Sequence, residues 1–265
     1  MTNNSVYTVV AYQGLLKRLK EAGYEFADYR DAAGAAGRRS IYLRHDIDYS
    51  PTWALSFARI NAEAGVAGTF FFQIRSPNYN FHSYAAISVI RKICELGQRI
   101  GLHFSVEQGT PGAELAGYIL ADFKTMQAQV PEAVPVFSWH NPSVFRGLLE
   151  KVPDIVVPGL VNTYARSFIE QVKYYSESNL RHSIADLEAI VQRGEPRLQL
   201  LFHPFQWLAG GRDMQEVLAN TWKQVVRETE MEFLTNHIYR EAFPSGMPEE
   251  WLRDFAARIA GRSAR

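Results

Sequence analysis

Short apolar runs alternate along most of the chain with longer stretches whose apolar residues recur at helical spacing. The runs predict buried strands over residues 41–43, 68–74, 99–104, 134–138 and 198–202. The helical periodicity predicts helices over residues 7–22, 52–64, 83–96, 114–129 and 214–225, with a short one after Pro248. Strands that alternate with helices predict an α/β fold in which parallel βα units close into a barrel.

The pattern is less regular between residues 150 and 197. Residues 155–159 and 171–175 predict strands, and the stretch between them fits neither period well. No linker, low-complexity tract or repeat divides the chain. We therefore predict a single domain over residues 1–265, with a core at about residues 41–207 and a long helix after it.

Composition narrows the class of protein. Hydrophobic residues make up 47% of the 265 positions and charged ones 21%, which is typical of a soluble globular enzyme. Lys and Arg together number 28, as do Asp and Glu, so no basic field predicts a nucleic-acid partner. Cys94 is the only cysteine, which excludes an intramolecular disulfide and a thiolate metal cluster. The first residues lack signal-peptide features and no apolar run approaches ~20 residues, so we expect a cytoplasmic protein with no membrane span.

Four of the predicted strands deliver residues that can bind a metal ion or move a proton, namely Asp46 with Asp48, His103, His140 and His203. The carboxyl ends of parallel strands meet at one mouth of a barrel, where active sites gather. Two neighbouring carboxylates repel each other unless a cation or proton separates them, and an ion bound by one leaves the other free as a base. Imidazole and carboxylate are usual ligands for zinc or a similar divalent ion, which activates water for hydrolysis.

Each of these residues also has a purely structural interpretation. An aspartate before a helix caps its backbone N–H groups, and a lone buried histidine is usually a hydrogen-bonded core residue. His140 can serve as a hydrogen-bonding residue only, and His203 can be a strand end that Pro204 holds rigid. Capping needs one carboxylate and not two, however, and the histidines coincide at one end of the predicted sheet. Both points favour the metal interpretation.

These residues carry a family resemblance. The chain resembles the polysaccharide deacetylase superfamily, also called NodB-homology or carbohydrate esterase family 4 (CE4), in its divergent His-Asp-x-Asp branch. Five segments in the family's order carry the resemblance, and they are Arg44-His-Asp-Ile-Asp48, Gly68-Thr-Phe-Phe-Phe72, Arg99-Ile-Gly-Leu-His103, Trp139-His-Asn-Pro142 and Leu201-Phe-His-Pro204. They are similar to the opening Thr-Phe-Asp-Asp motif, the second strand, the histidine motif, the Arg-x-Pro-Tyr motif and the closing Leu-x-His motif. The resemblance implies a distorted (β/α)7 barrel.

The resemblance also implies roles for individual residues. Asp46 would be the catalytic base and His203 the general acid, while Asp48 and His103 would bind one divalent ion, expected to be Zn²⁺. The family's second metal-binding histidine corresponds to Glu107 here, and the arginine that orients its base corresponds to His140. The third ligand is therefore either His140 or Glu107. We favour His140, because its imidazole stands at a strand end.

Four further residues are candidates for substrate binding. Arg75 and Tyr79 follow the second strand, Trp139 stands near the predicted mouth, and Arg181 follows the strand predicted at 171–175. Glu177 lies close to Arg181 in the sequence and is a candidate to orient His203 or to hold a polar substrate.

The function that the resemblance implies is metal-dependent removal of an N-acyl group, usually N-acetyl, from an amino sugar. For a cytoplasmic protein we expect a sugar-nucleotide or lipid-linked glycan of O-antigen or capsule synthesis as the partner. One alternative is a hydrolase of another C–N bond, in a ureide or amide. Another is a non-catalytic carbohydrate-binding protein, which the missing arginine and second histidine of the family motifs suggest.

Overall fold

The computed structural model describes residues 7–31, 38–107, 109–144, 147–180, 182–248 and 250. The contacts divide the chain into two compact units, residues 1–221 and residues 222–265. The predicted core of residues 41–207 lies inside the first unit. The extension of one domain over the whole chain stays a prediction.

Within the described residues, eight strands form one sheet, and they are β1 (Glu25–Phe26), β2 (Ser40–Ile47), β3 (Thr69–Phe72), β4 (Arg99–Ser105), β5 (Val136–His140), β6 (Val161–Asn162), β7 (Lys173–Ser176) and β8 (Arg197–Phe202). Seven of them follow the order β6-β5-β4-β3-β2-β8-β7, and β1 pairs with β2 beside this path. Every pair of strands is parallel. The sheet is a curled half-barrel in the described chain, which confirms the α/β, (β/α)7-type fold class.

Ten α-helices accompany the sheet, and they are α1 (Val9–Glu21), α2 (Pro51–Glu63), α3 (Tyr84–Glu95), α4 (Leu115–Gln129), α5 (Leu148–Lys151), α6 (Arg166–Gln171), α7 (Ile184–Arg193), α8 (Pro204–Leu208), α9 (Met214–Phe233) and α10 (His237–Ala242), counted over the described residues. The five long helices predicted from periodicity are all present, with ends within a few residues except that α9 runs further. The helix predicted after Pro248 falls on positions that, apart from residue 250, lie outside the described residues. None of the helices described is long and apolar enough to cross a membrane.

The predicted strand over residues 155–159 is wrong. Residues Val152–Asp154 form a 3-10 helix there, Val157 makes an isolated bridge to Leu160, and the next strand is the two-residue β6. Pro153 and Pro158 explain the difference, because proline has no backbone N–H to donate to a sheet. Strand β5 also begins two residues later than predicted, after Pro135, so that Trp139 and His140 lie within it and not beyond it.

Strand β2 is buried along its whole length and has two different faces. Its residues Ile41, Leu43 and Ile47 belong to the large apolar cluster that the helices cover. Tyr42 points to the opposite face, where a smaller cluster with Tyr29 and Phe71 fills the interior of the half-barrel. Because side chains alternate along a strand, every second residue after Tyr42 also points inward, which sends the polar side chains of β2 toward the carboxyl edge of the barrel interior.

The second unit is small. Its described part contains the end of α9, from Trp222 onward, and α10. Glu230 of α9 accepts hydrogen bonds from the Tyr239 hydroxyl at 2.8 Å and from the Met247 backbone N–H at 2.6 Å. These bonds tie the segment after α10 back to α9.

Candidate functional site

The predicted candidates converge at the carboxyl edge of the sheet. Asp46 lies near the end of β2 and Asp48 just after it, His103 lies in β4, and His140 ends β5. His203 stands between β8 and α8, with Pro204 as the first residue of the helix. Parallel strands place all these carboxyl ends on one side, which is why residues far apart in the sequence meet here.

Asp48, His103 and His140 form a compact triangle. Asp48 Oδ1 lies 3.2 Å from His103 Nε2 and 3.1 Å from His140 Nδ1, and the two nitrogens lie 3.2 Å apart. Among the described residues, these three form the group whose ligand atoms lie close enough together to hold one ion. Glu107, the other candidate for third ligand, is not part of this group and lines a separate cavity.

The donor set fits a divalent ion. One carboxylate oxygen and two imidazole nitrogens are typical of zinc and of similar first-row ions, whose bonds to such atoms measure about 2.0–2.2 Å. Three atoms that lie 3.1–3.2 Å apart can all be at that distance from one ion. Burial lowers the pKa of His103, which favours the neutral imidazole that a metal requires. Without a cation, the two imidazoles would hold Asp48 through charged or shared hydrogen bonds only.

Each ligand has a second contact that orients it. Ser138 Oγ lies 2.8 Å from His103 Nδ1, on the far side of that ring from Asp48. The Gln73 side-chain amide donates to Asp48 Oδ1 at 3.3 Å. If Ser138 accepts the Nδ1 proton, the lone pair of His103 is left on Nε2, the atom that faces the triangle.

Asn141 plays the corresponding part for His140. Its side-chain amide lies 3.1 Å from His140 Nε2, the ring nitrogen that faces away from the triangle. The nearer atom is the amide nitrogen Nδ2, which donates to Nε2. The oxygen and nitrogen of an asparagine amide are assigned from the hydrogen bonds around them, and an amide turned by 180° would accept the Nε2 proton and leave the Nδ1 lone pair free for an ion. Asn141 has a φ of 44°, in the left-handed region that non-glycine residues rarely adopt. Residues in such sparsely populated backbone regions cluster at functional sites, and Asn141 directly follows the candidate ligand His140.

Asp46 is held by an arginine and not by the imidazoles. Arg44 Nε donates to Asp46 Oδ1 at 2.7 Å and Arg44 Nη2 donates to Oδ2 at 2.6 Å, a two-pronged ion pair. Burial alone would raise the pKa of Asp46, but the charge of Arg44, followed by that of His103, holds it below its ordinary value. Asp46 therefore stays a carboxylate whose orientation is fixed, and its Oδ2 lies 3.5 Å from His103 Nε2.

Arg44 is the functional residue that the sequence reasoning missed. By motif, the family's orienting arginine corresponds to His140, whereas Arg44 lies two residues before Asp46 on the same strand. It is fully buried, and its guanidinium stacks 5.1 Å from the Tyr164 ring centre. Strand alternation was the available signal, since residues i and i+2 share a face.

His203 is paired with Glu177, as the sequence allowed. A carboxylate oxygen of Glu177 accepts a hydrogen bond from the His203 backbone N–H and lies 3.2 Å from Nδ1 of the ring. Burial alone would lower the pKa of His203, but the negative charge of the buried Glu177 raises it to about 9. His203 is therefore protonated at neutral pH, and its Nε2 lies 3.8 Å from Asp48 Oδ2, on the side of the triangle.

The four candidates for substrate binding have different positions. Arg75 is half exposed, with 51% of its side chain accessible, and is paired with Asp122. The Tyr79 hydroxyl is used by the backbone, since it accepts from the Gln73 N–H and donates to the Ile47 carbonyl, both within 2.9 Å. Trp139 is 1% exposed and its indole N–H donates to Asn162, so the prediction that Trp139 binds substrate is wrong. Arg181 lies outside the described residues.

The error at Trp139 has a simple cause. Ser138 and His140 point to the barrel interior, so the side chain between them must point to the helices. The later start of β5 placed Trp139 within the strand, where this alternation applies.

No protein-family model and no curated protein sequence matches the chain. The fold is similar to several solved structures at low identity. One is a mutant CE4 family pseudoenzyme with restored enzymatic activity, whose wild-type form comes from Bacillus anthracis; it is 12% identical, has a TM-score of 0.41, and covers 73% of this chain and 64% of its own. This chain thus spans slightly less than two thirds of that protein.

Two other structures are similar over a comparable length. The Xyl-CE4 domain of a multidomain xylanase from the hindgut metagenome of Trinervitermes trinervoides is 15% identical, with a TM-score of 0.43, and the match covers 72% of this chain and 85% of that domain. A chitin deacetylase from the fungal pathogen Colletotrichum lindemuthianum is 14% identical, with a TM-score of 0.41, over 69% of this chain and 81% of its own.

Proposed function

We propose that the protein is a metal-dependent hydrolase that removes an N-acyl group, N-acetyl in the first instance, from an amino sugar. One observation supports this proposal most. Asp48, His103 and His140 form a triangle of possible metal ligands, and the Asp46 carboxylate and the protonated His203 imidazole lie beside it. Hydrolysis of an amide uses a metal ion to activate water and the carbonyl, a base to remove a proton from the water, and an acid to donate a proton to the departing amine.

The triangle would hold one divalent ion, in our proposal Zn²⁺. Such an ion lowers the pKa of bound water to about 7 and polarises an amide carbonyl. The remaining chemistry falls to residues of this chain.

Asp46 is the proposed base. Arg44 binds both oxygens of Asp46 and holds the carboxylate in one orientation. The carboxylate is therefore already oriented to take a proton from an attacking water. The low pKa of Asp46 keeps it ionised over the whole neutral range.

His203 is the proposed acid. Its pKa of about 9 means that the imidazolium carries the proton that a departing amine needs. Glu177 holds Nδ1 of the ring, which leaves the Nε2 proton directed toward the side of the triangle. The base and the acid thus flank the ligands, as removal and return of a proton require.

The substrate that we propose is an N-acylated amino sugar that is part of a surface-polysaccharide precursor assembled inside the cell. This location and this pathway rest on the sequence interpretation alone. The ureide or amide alternative keeps the same residues and differs in the substrate.

Elemental analysis tests the proposal together with an acetate assay. We expect about one divalent ion per chain in the purified protein, and none in Asp48→Ala or His103→Ala. The metal-loaded protein should release acetate from N-acetyl amino sugars, and chelation should stop the release.

The opposite result is equally clear. No bound metal after incubation with zinc, cobalt, nickel or manganese would contradict the hydrolase and would favour the non-catalytic sugar-binding alternative. Bound metal without acetate release from any sugar would favour the ureide or amide alternative.

A further inference from the structure

The segment between β3 and α3 contacts the chain at the end of β2. It contributes three residues, Gln73, Asn78 and Tyr79, and each of them makes a hydrogen bond to Ile47 or Asp48. We propose that these three are positioning residues for metal binding, which hold Asp48 in the orientation of a ligand before an ion binds. The inference rests on the proposed function, because it concerns the proposed metal site.

Asp48 needs such support because it lies beyond the hydrogen-bonded part of the sheet. The pairing of β2 with β3 ends at Ile47, and its pairing with β8 ends at His45. Asp46 lies inside the strand, opposite Phe71 of β3, whereas Asp48 is the first residue after the strand. Backbone bonds of the sheet therefore help to fix the position of the first carboxylate, and other contacts must fix the second.

Two of the three hydrogen bonds hold the backbone on either side of Asp48. The Tyr79 hydroxyl donates to the Ile47 carbonyl at 2.9 Å, and it accepts the Gln73 backbone N–H at 2.8 Å. The Asn78 side-chain amide donates to the Asp48 carbonyl at 2.9 Å. These carbonyls belong to the two planar peptide groups that flank the Asp48 Cα, so the direction in which its side chain leaves the backbone is fixed.

The third hydrogen bond holds the side chain itself. The Gln73 side-chain amide donates to Asp48 Oδ1 at 3.3 Å, and this oxygen is the one that faces the two imidazoles of the triangle. The amide oxygen of Gln73 accepts from the Ser105 hydroxyl at 2.7 Å. Because a carboxylate only accepts hydrogen bonds, the amide must present its NH₂ group to Asp48, and the Ser105 donor keeps the amide oxygen at the other end.

The burial of Gln73 makes this arrangement specific. Gln73 is 1% exposed, and its backbone N–H, its side-chain nitrogen and its side-chain oxygen each have a partner. A buried polar group that loses its partner is costly, so the amide has one favourable orientation. A ligand that is already oriented loses little side-chain freedom when an ion binds, which strengthens binding.

The test is calorimetric titration of Zn²⁺ into the wild type and into variants. Gln73→Met removes the side-chain donor, and Tyr79→Phe removes the hydroxyl that holds the Ile47 carbonyl. The matched control is Tyr24→Phe, which removes a buried hydroxyl that donates to the Glu195 carbonyl at the amino ends of the strands. Loss of a contact that supports a ligand typically weakens metal binding by about 10–100-fold, so we expect this loss in the first two variants and wild-type affinity in the control.

Thermal unfolding separates the positioning role from a general loss of structure. We expect Tyr79→Phe and Tyr24→Phe to lower the unfolding temperature by comparable amounts, since each removes a buried hydroxyl bond to a backbone carbonyl. Only Tyr79→Phe should weaken zinc binding. If the two buried variants do not fold, Asn78→Ala decides, because Asn78 is half-buried and its loss removes one bond to the Asp48 carbonyl.

Two results would overturn the positioning role. One is zinc affinity within about twofold of the wild type in Gln73→Met, Tyr79→Phe and Asn78→Ala. The other is an equal loss of affinity in Tyr24→Phe.

Zinc binding also separates this inference from the proposed activity. If the wild type binds zinc, the variants bind it more weakly and no acetate is released, the proposed hydrolase fails and the positioning role stands. Zinc binding that the variants leave unchanged, together with acetate release, gives the reverse outcome. A wild type that binds no zinc would overturn both.

Discussion

Asp46 and Asp48 are two residues apart and point to the same edge of the half-barrel, yet their surroundings differ. Both oxygens of Asp46 are bound by the guanidinium of Arg44. Asp48 instead faces two imidazoles, His103 and His140, within 3.2 Å of one oxygen. One carboxylate is thus satisfied by a permanent cation of the protein, and the other by groups that become its co-ligands if a metal binds.

This difference shows how one strand end can give two carboxylates different surroundings, and we propose that it gives them different roles. Arg44 never loses its proton under ordinary conditions, so Asp46 keeps its charge and its orientation whether or not a metal is present. The imidazoles around Asp48 would serve a bound ion as neutral co-ligands, a role that a guanidinium cannot take. In our proposal the partner, and not the aspartate, decides between base and ligand.

We expect the largest loss of activity from a substitution of Asp48. Asp48→Asn keeps the shape of the side chain and removes the charge that an ion would require, so we expect activity to fall by roughly 10³-fold or more. Initial rates of acetate release at saturating metal measure it. Activity that returns fully at high metal concentration would show instead that the charge of Asp48 serves affinity alone.

The matched change at Asp46 should also abolish most activity, but for another reason. Asp46→Asn removes the proton acceptor, and loss of a general base typically costs about 10²–10⁴-fold in kcat. The amide oxygen still accepts one hydrogen bond from Arg44, but the buried guanidinium loses its counter-charge, so thermal unfolding should show a folded protein of lower stability. Activity within a factor of a few of the wild type would assign the base to another group.

The ion pair between Arg44 and Asp46 can also be broken by a substitution of the arginine. Arg44→Met leaves Asp46 buried without its cation, and removal of one partner of a buried pair costs about 3–5 kcal/mol in the free energy of unfolding. Denaturant unfolding measures the loss. The double variant Arg44→Met/Asp46→Asn should regain much of this stability but no activity, and a double variant as unstable as the single one would contradict the pairing.

The pair of His203 and Glu177 predicts a pH effect. Glu177 stabilises the protonated form of His203 and raises its pKa to about 9, so removal of the charge in Glu177→Gln must lower that pKa. The proton donor is then lost at lower pH, and the alkaline limb of kcat/KM should move toward neutral pH while the acid limb stays. An unchanged alkaline limb would remove His203 from the role of acid.

The smallest effect is expected at Asn141, which contacts His140 on the side away from Asp48. Asn141→Gly removes the amide and tolerates the positive φ, so it isolates the hydrogen bond to Nε2. Loss of such a supporting contact typically weakens metal binding by about 10–100-fold. Calorimetric titration with Zn²⁺ measures it, and Asn141→Asp, which keeps an acceptor, should bind nearly as well as the wild type.

Much of this arrangement could be predicted from the sequence, because it depends on strand ends. Asp46, Asp48, His103 and His203 each follow or end an apolar run, and parallel strands bring such ends together. His140 was preferred over Glu107 for the same reason, and Glu107 lies in the wall of a cavity beyond the end of β4.

What was missed or wrong depends on which way each strand residue faces. Arg44 and Trp139 both lie within strands, and their roles follow from alternation once the strand boundaries are known. A shift of two residues in β5 was enough to misplace Trp139. Residues 155–159 are apolar enough to suggest a strand, but the prolines around them cannot donate to a ladder.

Metal stoichiometry tests the central contrast most directly. Elemental analysis and Zn²⁺ titration of the wild type, Asp46→Asn and Asp48→Asn compare the same change of charge two residues apart. We predict one ion per chain in the wild type and in Asp46→Asn, and strongly weakened binding in Asp48→Asn. Equal loss of the metal in both variants, or retention in both, would contradict the division of the two aspartates into base and ligand.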